Sequence, residues 1–94
     1  MLESQIKYNA TQYIIKHQSE FKKELQEEAI DFIMRKIEVT GTTVKSFKDL
    51  YRKNLMDLIR KEISNSLSLN FEEVNEVVSD QFLLDLLGEN FFIL

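Results

Sequence analysis

The stretch Ala29-Ile30-Asp31-Phe32-Ile33-Met34-Arg35-Lys36-Ile37 decides the fold. Its apolar residues Ala29, Ile30, Phe32, Ile33, Met34 and Ile37 occupy most of a helical circumference, which marks a helix packed on more than one side and places the centre of the core here. Upstream, Leu2, Ile6, Ala10, Tyr13, His17, Phe21, Leu25, Ala29 and Phe32 follow one another at spacings of three or four, the period of one helical face. The pattern predicts either one helix over 2–37 or two helices meeting near His17, Gln18 and Ser19, where Ser19 could cap the second. A continuous helix would be about 54 Å long at 1.5 Å per residue, too long for a compact domain of this size to cover, so that version predicts a dimer.

Downstream, Val39-Thr40-Gly41-Thr42-Thr43-Val44 joins β-branched residues to a glycine and reads as a turn or short extended link. Ser46, with Asp49 three residues on, reads as an N-cap opening a helix over about 47–64 that turns Phe47, Leu50, Tyr51, Leu55, Leu58, Ile59 and Ile63 inward. The polar link Ser64-Asn65-Ser66-Leu67-Ser68-Leu69 ends it, and Asn70 with Glu73 repeats the capping logic for a last helix over about 71–87. Gly88 stands where a residue of positive φ closes a helix. Proline is absent and glycine occurs only at positions 41 and 88, so little else punctuates the chain.

These elements define an all-α fold, a bundle of three or four helices forming one domain over 1–94. Extended chain is confined to a short segment near 38–44 and the C-terminal tail. At 94 residues the domain buries about 60 to 65% of the surface its unfolded chain exposes, enough to fold alone with little to spare.

Composition narrows the chemistry. There is no cysteine, so disulfides, thiolate metal sites and a thiol nucleophile are excluded, and the cytoplasm is the expected compartment. No apolar run approaches the roughly 18 residues of a membrane span, so no membrane association is expected. His17, the one histidine, sits on the apolar stripe between Tyr13 and Phe21 and reads as structural. No phosphate-binding glycine pattern or nucleophile-elbow serine occurs. Glu24, Glu27, Glu28 and Asp31, interspersed with Lys23 and Arg35, read as a solvated helix face rather than a metal site. The expectation is a protein without catalytic residues, metal or cofactor.

Charge is distributed unevenly. Residues 44–63 carry six Lys/Arg against three Asp/Glu, whereas residues 64–94 carry six Asp/Glu and no cation. The first block suggests a nucleic-acid surface of Lys45, Lys48, Arg52, Lys53, Arg60 and Lys61, although Asp49 and Asp57 stand four residues ahead of Lys53 and Lys61 in the order that favours intrahelical pairs. In the second block Glu72, Glu76 and Asp80 recur every four residues and stack like charges on one stripe. Their counterpart is either internal, with Arg60 and Lys61 meeting Glu72 and Glu73 across a hairpin, or a basic partner.

The tail Phe91-Phe92-Ile93-Leu94 places four large apolar residues where termini are usually polar. Burying each fully is worth about 1.5 to 3 kcal/mol, so they pack against the domain's own core, a second subunit or a partner.

Two local patterns resemble known families. Thr42-Thr43-Val44 through Phe47-Lys48-Asp49-Leu50 resembles the start of the helix-turn-helix unit of tetracycline-repressor-like regulators, but Tyr51 to Ile63 continues as one helix where a recognition helix would follow. Gln81-Phe82-Leu83-Leu84 resembles peptides that bind replication sliding clamps, without their anchor spacing. Neither carries a function over.

The reading that joins these observations is a non-catalytic protein-interaction module, an adaptor, regulator or inhibitor of another protein, self-associating as a dimer. Its expected contacts are Phe91, Phe92, Ile93 and Leu94 with the stripe Glu72, Glu76 and Asp80. The alternative is a nucleic-acid-binding protein using the basic helix 45–61.

Overall fold

The computed structural model describes residues 2–40 and 44–94, and the side chains of these except at positions 37–40, 44 and 45. It is a small all-α bundle, with no strand among the described residues.

Helix α1 (Glu3–Glu20) passes through a five-residue π turn (Phe21–Leu25) into α2 (Gln26–Thr40). Glu20, Phe21 and Gln26 all keep right-handed helical dihedrals, so the backbone never leaves the helix. In the π turn the Gln26 N–H donates to the Phe21 carbonyl, five residues back instead of four. A straight rod over 3–40 would be about 55 Å long. The molecule's longest dimension is 43 Å, so the rod is bent, and the widened turn supplies the irregularity at which such a hydrogen-bond ladder bends. The two alternatives over 2–37 are thus both revised: the helix is continuous, and its discontinuity falls at 21–25 rather than 17–19. The bend also removes the geometric reason for requiring a second copy to cover a long straight rod.

Bending lets both arms lie on α3 (Val44–Ser66). Arm α2 runs along α3, whereas α1 rests on α3, on α4 (Phe71–Val77) and on α5 (Asp80–Leu87). The core takes Ala10, Ile14, Phe21, Ala29 and Ile33 from the rod and Tyr51, Leu55, Met56, Ile59 and Ile63 from α3, closed by Val74, Val78, Leu83 and Phe92. At about 1.5 to 3 kcal/mol for each large side chain buried, this single cluster dominates the stability of the domain. Met34 is half exposed, so the 29–37 segment packs less completely than its composition predicts.

One polar tie fixes α1 to α3. The Tyr13 hydroxyl donates to Glu62 Oε1 at 3.1 Å and shares a 2.8 Å hydrogen bond with Ser66 Oγ. Burial raises the Tyr13 pKa, and the hydrogen bond with Ser66 acts the other way. The His17 ring stacks on Tyr13 with centroids 4.3 Å apart while its Nδ1 meets Glu20 Oε2 at 2.9 Å, a packing role for the lone histidine.

The helix ends follow from local chemistry, with three corrections. Ser46 lies inside α3, which begins at Val44, so it does not cap that helix. Residues 38–40 and 44 are helical rather than extended, and the rest of the expected link, 41–43 with Gly41, lies outside the described residues. The helix expected over 71–87 is two helices, because Val78 leaves helical geometry and Ser79 caps α5, its Oγ accepting the Phe82 N–H at 3.1 Å. Asn70 caps α4 as its sequence suggests, its Oδ1 accepting the Glu72 N–H at 2.8 Å. Helix α3 closes with Ser68 at φ 54° and the Leu69 N–H donating to the Ser64 carbonyl at 2.9 Å, a Schellman ending built without glycine. Gly88 stands at φ 84°, ψ 159°, a region open essentially to glycine alone. After it come a 3-10 turn (Glu89–Phe92) and an extended Ile93.

Two substitutions test these endings by urea titration. Ser68→Gly relieves a left-handed conformation and is expected to stabilise by about 0.5 to 1 kcal/mol. Gly88→Ala meets no atom within 4 Å of the new Cβ, so the expected loss of about 1 to 3 kcal/mol is a backbone effect.

Candidate functional site

The acidic stripe of the sequence is divided between two helices. Glu72 and Glu76 are exposed on α4. Asp80 opens α5, and its Oδ1 accepts from Arg60 Nη2. Arg60 is 5% exposed and spends its whole fork internally, with Nη1 on Asp57 Oδ1 at 3.0 Å and Nε on the Val78 carbonyl at 2.6 Å. That carbonyl is free because the helix breaks at Val78, so one side chain both accepts the break and ties α3 to the α4–α5 junction. The pairing expected between Arg60 and Glu72 or Glu73 does not form, nor do the i,i+4 pairs: Asp57 turns to Arg60 rather than Lys61, and no ion pair joins Asp49 to Lys53 among the described residues.

Two of the six cations of the basic helix are engaged within the domain. Arg60 is buried, and Arg52 is bound through Nη1 to Glu89 Oε2 at 2.8 Å. Lys48, Lys53 and Lys61 remain exposed, and the Lys45 side chain lies outside the described residues.

The four tail residues have separate fates. Phe92 is 2% exposed and belongs to the core. Phe91 is half-buried, edge-on to Phe92 with centroids 5.2 Å apart, and its carbonyl accepts from Gln26 Nε2 at 3.0 Å. Ile93 and Leu94 are 59% and 45% exposed. The tail therefore closes its own domain with its aromatic half and presents its aliphatic half to solvent.

Gln26 is the residue at the end of the π turn, so the bend of the rod and the seat of the tail share one side chain. Between them runs a groove lined by Gln18, Ser19, Lys22 and Gln26 on the rod and by Phe91 and Ile93 on the tail. Ile15 lies one helical turn before Ser19 on the same face, and Tyr8 two turns before Ile15. They are 59% and 66% exposed. Tyr8 and Ile15 thus share one outer face of α1, and Ile93 lines the groove that opens beyond Ser19.

Compared with known family models, with characterised proteins and with solved structures, the chain matches none.

Sequence reading missed Gln26, Ile15 and Tyr8. Gln26 stands among charges that look uniformly solvated, and no local signal marks its bond to a residue 65 positions away. Ile15 and Tyr8 did carry a signal, since both fall off the stripe that packs inward and two large apolar residues remain on the outer face.

Arg60→Ala is expected to lose about 2 to 3 kcal/mol in chemical denaturation, because the Val78 carbonyl is left without its buried donor and the packed aliphatic stem disappears. Phe92→Ala is expected to lose about 3 to 5 kcal/mol by the same measurement, whereas Leu94→Ala stays within about 1 kcal/mol; equal effects would mean that the tail does not divide as described.

Proposed function

We propose that this chain is a non-catalytic protein-interaction module that associates with itself or another protein through its outer α1 face and the end of its tail. The observation that carries the reading is Tyr8 and Ile15 on one outer face of α1 with Ile93 and Leu94 at the tail: large apolar side chains held in water, as Leu2, Met34 and Phe71 are elsewhere on this small domain. Isolated exposed apolar residues are ordinary; a group of them on one helix face and the tail beyond it marks a contact surface. Glu72 and Glu76, exposed on α4, supply the charge that would select a partner of basic surface. An adaptor, regulator or inhibitor acts by such contacts alone. The proposal includes a cytoplasmic setting, suited to a cysteine-free chain; no helix among the described residues is long and apolar enough to cross a membrane.

Ile15→Glu and Ile93→Glu change exposed positions and leave the core intact, so both variants should unfold within about 0.5 kcal/mol of the parent. Analytical ultracentrifugation of the parent is expected to show self-association that each variant weakens about tenfold or more. A parent that stays monomeric, together with variants that capture the same host proteins as the parent, defeats the reading.

A further inference from the structure

The site that holds the tail is a formed binding site with its ligand in place. It takes an aromatic side chain at Phe92 into a fully buried position, grips the preceding carbonyl through Gln26 Nε2, and meets a carboxylate three residues before the aromatic with Arg52. Its ligand is joined to the rest of the chain by a single pivot. Gly88 has positive φ, no atom within 4 Å of the place a Cβ would occupy, and no structure beyond it but a short turn. Of the two polar ties, the Arg52–Glu89 pair lies at the surface, 38% and 64% exposed, and the bond from Gln26 to the Phe91 carbonyl is half-buried.

We infer that self-association of this chain proceeds by tail exchange: Glu89–Leu94 of one copy leaves its own body at Gly88 and enters the identical site of a second copy, which returns its own tail. This rests on the self-association reading above and names the route. Exchange conserves every contact the tail makes, because the site in the second body is the same site. Glu89 stays on Arg52 and Glu89–Phe92 keep their turn, so Gly88 alone spans the two bodies, about 7 Å from Leu87 to Glu89, and exchange requires the bodies to abut at their Gly88 pivots. That end also carries Ile93, 59% exposed in the closed chain. A tail on so short a tether competes with the second copy at an effective concentration in the millimolar range, so the dimer forms as protein concentration rises.

The Arg52–Glu89 pair permits a test that other modes of dimerisation do not satisfy. In Arg52→Glu two carboxylates face one another within the closed chain, and in Glu89→Arg two guanidinium groups do. Mixed and exchanged, each body receives a tail of opposite charge and both repulsions become attractions. Native mass spectrometry of an equimolar mixture is expected to give the heterodimer at several-fold to about tenfold excess over a random distribution of dimers. The double variant Arg52→Glu/Glu89→Arg restores the pair within one chain and should dimerise like the parent, which confirms that neither reversal harms the fold. Dimers that mix at random overturn exchange while leaving self-association standing. Absence of any dimer, in parent and mixture alike up to about 1 mM, overturns both.

Discussion

The contact between the bent rod and α3 is the constraint on which the other contacts depend. Ile14 and Ile33 are both almost wholly buried in one core cluster, yet they stand nineteen residues apart on one helix. On a straight α-helix that separation is a little over five and a quarter turns, and the two side chains would point about 100° apart. They reach one core because the π turn takes an extra residue into its loop and the rod bends there. Phe21, which opens the turn, is itself buried, so the irregularity is fixed by packing and not left to fray. With both arms laid on α3, the short helices α4 and α5 have a floor to stand on. With α5 in place, the tail has a site.

Charge imposes a second constraint. The last third of the chain contributes carboxylates and no cation, so any electrostatic compensation must come from elsewhere. It comes from α3, where Arg52 meets Glu89 and Arg60 meets Asp80, each bond joining the basic helix to an acidic segment far along the chain. Exposed pairs of this kind add little energy. Arg60 differs because it is buried and because one of its bonds goes to a backbone carbonyl that the helix break leaves open. The break at Val78 and the burial of a guanidinium group are therefore a single arrangement, and the two arginines of the basic block, Arg52 and Arg60, answer the acidic end of the sequence.

The all-α class, the inward face of α3 and the Asn70 cap could be read from residue spacing because each depends on neighbours three or four positions away. Buried Tyr51, Leu55, Ile59 and Ile63 lie on the face their spacing predicts. The first stripe was read less well: Tyr13 and Phe32 are half-buried, and adjacent Ile14 and Ile33 take the inner positions. A pattern extrapolated with one fixed period drifts out of phase once the period changes, and nothing in Phe21-Lys22-Lys23-Glu24-Leu25 announces a widened turn. The break at Ser79 had a signal, a serine ahead of an acidic residue, but the apolar pairs on both sides, Val77-Val78 and Phe82-Leu83, concealed it. For the candidate site, the tail stood out by composition. Its division between Phe92 and the exposed Ile93 and Leu94 depends on three-dimensional fit, as does the role of Gln26.

The π turn also determines how this chain tolerates changes in its length. The wide turn absorbs one residue beyond an ordinary turn, so removing one residue between positions 21 and 25 would close it into ordinary helix and leave Ala10 and Ile14 in phase with Ala29 and Ile33. Adding one there would instead rotate the whole amino-terminal arm by about 100°, a quarter-turn and more, and Ala10 and Ile14 would swing away from the core together. Point changes in the same five residues act only where they stand. A lost codon and a gained codon at this locus therefore belong to different orders of severity.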